Sequence, residues 1–89
     1  MKYPKIESRL KEILADTLGV KADSIAPSAR FDADLGADPL DCVEIIMTCE
    51  GEWDIHITED EAESAYTFSK LAALVNDKLN GKLNGVSNL

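Results

Sequence analysis

The sequence predicts an all-α domain, a bundle of three main helices and one short one. Apolar residues recur at helical spacing in three segments, a capping box precedes a fourth, and no run alternates with the period of two that a half-buried strand requires. At 89 residues the chain has room for one core only. The expected organisation is a domain over residues 1–80 followed by a flexible tail over 81–89.

The first helix is read from Ile6, Leu10, Ile13, Leu14 and Leu18, which fall on one face, with Glu7 and Lys11 expected as an outward pair and Gly19 as the stop. Between Val20 and Asp38 the periodicity dissolves into a stretch with Pro27, Gly36 and four aspartates. A loop of that length needs anchors, and Ile25, Phe31 and Leu35 are the residues that can tie it to the core. Asp38 is placed to cap a second helix running through Leu40, Val43, Ile45, Ile46, Met47 and Cys49 towards Trp53. That helix carries more apolar residues than one stripe holds. Ile45, Ile46, Cys49 and Trp53 make one face, and Leu40, Val43 and Met47 make another beside Asp41 and Glu44, so one of the two is expected to be exposed. Thr58-Glu59-Asp60-Glu61 is a capping box that opens a short helix over 59–64. Thr67 caps the last helix, which carries Phe68, Leu71, Leu74, Val75 and Leu79 and is expected to end at Asn80-Gly81.

Charge narrows the function. Seventeen acidic residues against nine basic ones leave a net charge of −8, which repels nucleic acid and anionic membrane surfaces and favours basic protein surfaces as partners. No apolar run is long enough to span a bilayer, and Met1-Lys2-Tyr3-Pro4 leads into an amphipathic segment unlike a signal peptide, so a cytoplasmic location without membrane insertion is expected. Cys42 and Cys49 lie about 10 Å apart along one helix, too far for an intrachain disulfide, and are read as reduced thiols. His56 has no nucleophile or second ligand arranged around it, and no catalytic role is assigned to any residue. Asp32, Asp34, Gly36 and Asp38 suggest a calcium loop, but the fifth position falls on Gly36 and the twelfth on Val43 where a bidentate Glu is needed, so no metal site is expected.

The run Asp34-Leu35-Gly36-Ala37-Asp38-Pro39-Leu40-Asp41-Cys42-Val43-Glu44 closely resembles the signature of acyl carrier proteins of the dissociated, type II fatty-acid-synthesis kind, which reads Asp-Leu-Gly-Ala-Asp-Ser-Leu-Asp. The resemblance extends over about residues 6 to 79, with Leu18-Gly19-Val20-Lys21 closing the first helix, Phe31 ahead of the signature, and Glu52-Trp53-Asp54-Ile55 after the second helix. It implies the acyl-carrier-protein-like bundle and a non-enzymatic role in fatty-acid or acyl-chain biosynthesis; nothing in the sequence suggests an obligate dimer, and a monomer is expected. It also implies docking on basic patches of partner enzymes through Asp38, Leu40, Asp41, Val43, Glu44 and Met47.

The departure lies at the decisive position. Pro39 stands where the family has the serine that holds the 4′-phosphopantetheine arm, and proline offers no hydroxyl or other nucleophile for that transfer. For the helix it is a sound residue, because at the first helical position its missing N–H has no intrahelical partner and its φ is already helical. No cofactor is therefore expected on this chain. The leading reading is a binding module that cannot be loaded. The alternative is a genuine acyl carrier protein whose attachment serine has been changed to Pro39. A third reading attaches a group elsewhere, with Cys42 as its candidate, set against the plainer view of Cys42 as a small, partly buried helix residue. The resemblance also implies an acyl-storing interior lined by Ile46, Ile57, Ala62, Ala65, Phe68 and Leu71. Without an arm to deliver a chain, a closed core is the expectation.

Overall fold

The computed structural model describes the backbone of residues 4–87 and the side chains of residues 4–81. Four helices follow one another: α1 (Pro4–Leu18), α2 (Pro39–Trp53), α3 (Glu59–Ser64) and α4 (Phe68–Ser87), with a 3₁₀ turn at Ala22–Ser24 in the long connection after α1. α1 packs on α2 and α4, α2 also meets α4, and α3 rests on α4. The core gathers Leu10 and Leu14 of α1, Ile45 and Cys49 of α2, and Phe68, Leu71 and Val75 of α4, all within 1% of full burial.

Each helix boundary has a local cause. Gly19 adopts φ +70° and donates its N–H to the Ala15 carbonyl at 2.9 Å, closing α1 with a left-handed cap that a residue with a Cβ would resist. Asp38 begins α2 with a reciprocal cap. The Asp41 N–H donates to the Asp38 carboxylate at 2.7 Å, and the Asp38 N–H donates to the Asp41 carboxylate at 3.1 Å. Such a cap contributes about 1 kcal/mol. Asp54 ends the helix in the left-handed region at φ 51°. Thr58 and Glu61 repeat the reciprocal arrangement at the start of α3, and the Lys70 N–H donates to Thr67 Oγ1 at the start of α4.

The long connection is held as expected by Ile25 and Phe31, both buried, and by half-buried Leu35. Backbone bonding to the α3–α4 linker and the first residues of α4 adds to this: Phe31 N–H donates to Tyr66 O at 3.1 Å, Phe68 N–H to Ala29 O at 3.0 Å and Ser69 N–H to Pro27 O at 2.9 Å. These bonds form around an isolated bridge between Arg30 and Thr67, which periodicity does not disclose. Gly36 at φ +72° then turns the chain so that Asp38 can cap α2.

Two expectations are corrected. Glu7 is buried, at 8% exposure, and does not form an outward pair with Lys11, whose ammonium lies 5.8 Å from the centroid of the Phe68 ring. The outer ion pairs of α1 come instead from Arg9, which reaches Glu12 at 3.1 Å and Glu52 of α2 at 3.0 Å. α4 does not stop at Asn80-Gly81 but continues to Ser87. Glycine weakens a helix interior by about 1 kcal/mol and does not by itself end one, and the following Lys82 and Leu83 are good helix formers. Asn88 and Leu89, the end of the expected tail, lie outside the described residues.

The short α3 is fastened by charge. Glu61 Oε2 accepts from Lys78 Nζ of α4 at 2.7 Å, while Glu61 Oε1 accepts from the Thr58 N–H at 2.9 Å. The Lys78 ammonium first, and the Thr58 N–H second, pull the Glu61 carboxyl down from an ordinary 4.5 to about 2. A carboxylate whose folded pKa lies below its unfolded value adds stability above the unfolded pKa and loses it as pH falls through the folded one. Melting temperature should therefore fall between about pH 4.5 and pH 2. Glu61→Gln should flatten that part of the profile, as followed by circular dichroism; an unchanged slope would refute the coupling. α3 forms one wall of the site below.

Candidate functional site

The signature loop delivers α2 with its first turn facing solvent. Pro39 occupies the first helical position, exposed, immediately after the extended Asp38. Its ring carries no nucleophile. Cys42, one turn along, is a half-buried thiol pushed up from its ordinary range by desolvation first and then by Asp32, Asp41 and Asp38. That shift disfavours the thiolate, and with it a nucleophilic part for Cys42. Cys49 faces the core, where burial pushes its thiol up to about 12. Both cysteines are free.

The two apolar faces of α2 separate as their spacing requires. Ile45 and Cys49 are sealed in the core, with Ile46 and Trp53 packed against it, while Leu40, Val43 and Met47 are 65%, 53% and 63% exposed. These three large apolar side chains form an exposed row along one face of the helix. Carboxylates frame it, but in different conditions. Asp38 and Asp41 are occupied in the cap, whereas Glu44 is exposed and has no ion pair among the described residues. The expected docking residues thus lie together, with Glu44 as the carboxylate freest to meet a cation.

Beside this face, between α2 and α3, lies an apolar groove of about 550 Å³. Ile46, Ile57, Ala62 and Ala65 line it as expected, whereas Phe68 and Leu71 do not, being fully buried in the core behind. The groove is thus a surface feature, and the core behind it, at Phe68, Leu71 and Val75, is closed to solvent. Pro39 and Cys42 also border the groove, so the attachment position and the groove share an edge.

Other features were not readable in advance. Tyr66, in the α3–α4 linker, holds Arg30 and Lys70 over its ring at 4.8 and 4.7 Å from the centroid, and no periodicity announces such a stack. His56 is exposed, with Nδ1 3.3 Å from Glu50 Oε2, an oxygen that also accepts the Ile57 N–H at 2.9 Å. Among the described residues no group of three or more His, Cys, Asp or Glu side chains is placed to hold a metal, and no helix is long and apolar enough to cross a membrane.

Three long helices, one short helix and a capped helix start presented on the surface make up a small helical bundle. The chain matches the family model described as the phosphopantetheine attachment site over residues 8–76, and it belongs to that family. Among solved structures, an acyl carrier protein from Enterococcus faecalis, described for its high thermal stability, superposes with a TM-score of 0.75. The match covers 88% of this chain and 99% of that one at 19% identity, a likeness of fold.

Proposed function

We propose that this protein is an acyl-carrier-like module of fatty-acid or acyl-chain biosynthesis that docks on basic patches of partner enzymes through α2 and is not loaded with phosphopantetheine. The observation that carries the reading is the exposed row Leu40, Val43 and Met47 beside Glu44, which starts one residue after a proline in the place of the family's serine. The apolar row supplies contact area once water is excluded. The carboxylates speed encounter and select cationic surfaces, an effect that salt screens over about 10 Å. Working as a monomer in the cytoplasm fits this role.

Binding to purified enzymes of type II fatty-acid synthesis tests it. Glu44→Lys should weaken binding about tenfold at low salt, mainly in the association rate, and Met47→Asp should weaken it at any salt. Glu44→Lys is the cleaner charge reversal, since Asp41→Lys would also remove half of the α2 cap. Equal binding by the native chain and both variants, without salt dependence, would refute docking through α2.

The intact signature around Pro39 also favours a second reading, a genuine acyl carrier protein in which the attachment serine has been replaced. A serine codon at position 39 of the native gene would select that reading, and a proline codon the unloaded module.

A further inference from the structure

Asn80-Gly81 reads as a helix stop in the sequence, yet α4 runs through it to Ser87. Both residues are exposed, and a Cβ added at Gly81 would meet open space, so no neighbour crowds this turn. Asparagine followed by glycine is also a labile pair, because the next backbone nitrogen can reach the side-chain amide carbon and glycine has no Cβ to obstruct it. Helical geometry holds that reaction back, since each N–H is engaged with the carbonyl four residues earlier. How often this part of α4 opens therefore decides the chemistry. Leu79 is the last described apolar side chain of α4 packed on the core. The stretch after it is too short to draw much helical stability from itself, and Gly81 and Gly85, both inside it, lower that stability further.

We propose that Asn80 is a site of spontaneous deamidation, gated by opening of the last turns of α4, and that the conversion fixes the end of α4 at this residue. In the open form the Gly81 nitrogen attacks Cγ of Asn80. A C–N bond forms, the side-chain nitrogen leaves as ammonia carrying the proton of the Gly81 N–H, and a succinimide ring remains. Water then opens the ring at one of its two carbonyls, giving aspartate or the β-linked isoaspartate, so one water is consumed and one ammonia released. Neither product restores the helix. Each adds one carboxylate to the net charge of −8, three residues beyond the exposed Asp77, where like charges on a helix repel. Once the helix ends there, that carboxylate also opposes the negative end of its dipole. Isoaspartate further adds a methylene to the backbone, which breaks the hydrogen-bond register. The bundle is spared, because Phe68, Leu71 and Val75 lie ahead of the site. The inference rests neither on docking through α2 nor on Pro39, so it and the proposed function can fail separately.

Ageing the purified chain in warm, mildly alkaline buffer tests it, with peptide mapping by mass spectrometry and enzymatic detection of isoaspartate. The peptide holding Asn80 should gain about 1 Da, and mapping separates it from Asn84, which precedes Gly85. Gly85→Ala leaves Asn80-Gly81 intact and strengthens the helix, so it should slow conversion at Asn80 about fivefold. Unfolding in urea removes the gate, and there the native chain and the variant should convert at one common, faster rate. In the converted chain, amide hydrogen exchange should quicken beyond residue 80 while the amides of Leu71 and Val75 stay protected. An Asn80 that stays intact in the folded chain while it converts in urea, equal folded-state rates for the native chain and Gly85→Ala, or a converted chain whose amides beyond residue 80 keep their protection would overturn the proposal.

Discussion

Incubated with coenzyme A and a broad-specificity phosphopantetheinyl transferase, the chain is expected to keep its mass, while Pro39→Ser gains about 340 Da, the mass of one arm. The argument is chemical before it is structural. Transfer needs an oxygen nucleophile at the start of α2, and the ring of Pro39 has none. The helix start is otherwise open to approach: Pro39 and Leu40 are exposed, and a reciprocal Asp38–Asp41 cap fixes the direction of the first turn. Serine at that position should cost the fold about 0.5 kcal/mol at most, because proline's contribution there acts mainly through the unfolded chain. Cys42 supplies the internal control. Its thiol is half-buried and shifted away from the thiolate, so a Cys42→Ala variant of the native chain should behave as the native chain does. A gain of one arm by the unaltered protein would defeat the unloaded reading, and a gain lost again in Cys42→Ala would move the attachment to that thiol.

How far the sequence could be read follows from where its signals are local. The starts of α2, α3 and α4 are written in Asp38, Thr58 and Thr67, each of which accepts the amide hydrogen bond that its place before a helix implies. Gly19 ends α1 for an equally local reason. The split of α2 into a buried and an exposed face was legible because two apolar sets at helical spacing cannot both reach one core. What stayed hidden depends on the distance between elements. The groove is lined by Ile46 of α2, Ala62 of α3 and Ala65 just after it, and spacing along the chain does not reveal a gap between two helices. Glu7 reads as a surface residue by its charge and is buried by its position on α1, a tertiary effect that outweighs propensity. At Asn80-Gly81 the local signal misleads, since a residue that permits a stop does not impose one.

Phe68→Ala is expected to be the most damaging single substitution for stability. Phe68 is fully buried, begins α4 one residue after its cap, and belongs to the cluster with Leu10, Leu14, Leu71 and Val75 that joins α1 to α4. Truncating a buried phenylalanine costs about 3–5 kcal/mol, because the lost transfer energy is compounded by a cavity that the neighbours cannot fill. Against a total of about 5–15 kcal/mol for a domain, and less for a short chain, that leaves little margin. The melting temperature should drop by roughly 20 °C, and the urea midpoint should fall with an unchanged slope. Val43→Ala removes an apolar side chain of comparable character from the same small domain, yet at 53% exposure it should shift stability by no more than about 0.5 kcal/mol. The pair separates the two uses of apolar surface in this protein. Phe68 holds the bundle together and Val43 is held out from it, so Val43→Ala should weaken partner binding in a fold that melts normally. A Phe68→Ala variant within about 1 kcal/mol of the native chain would mean that the core around α4 is far more plastic than close packing allows.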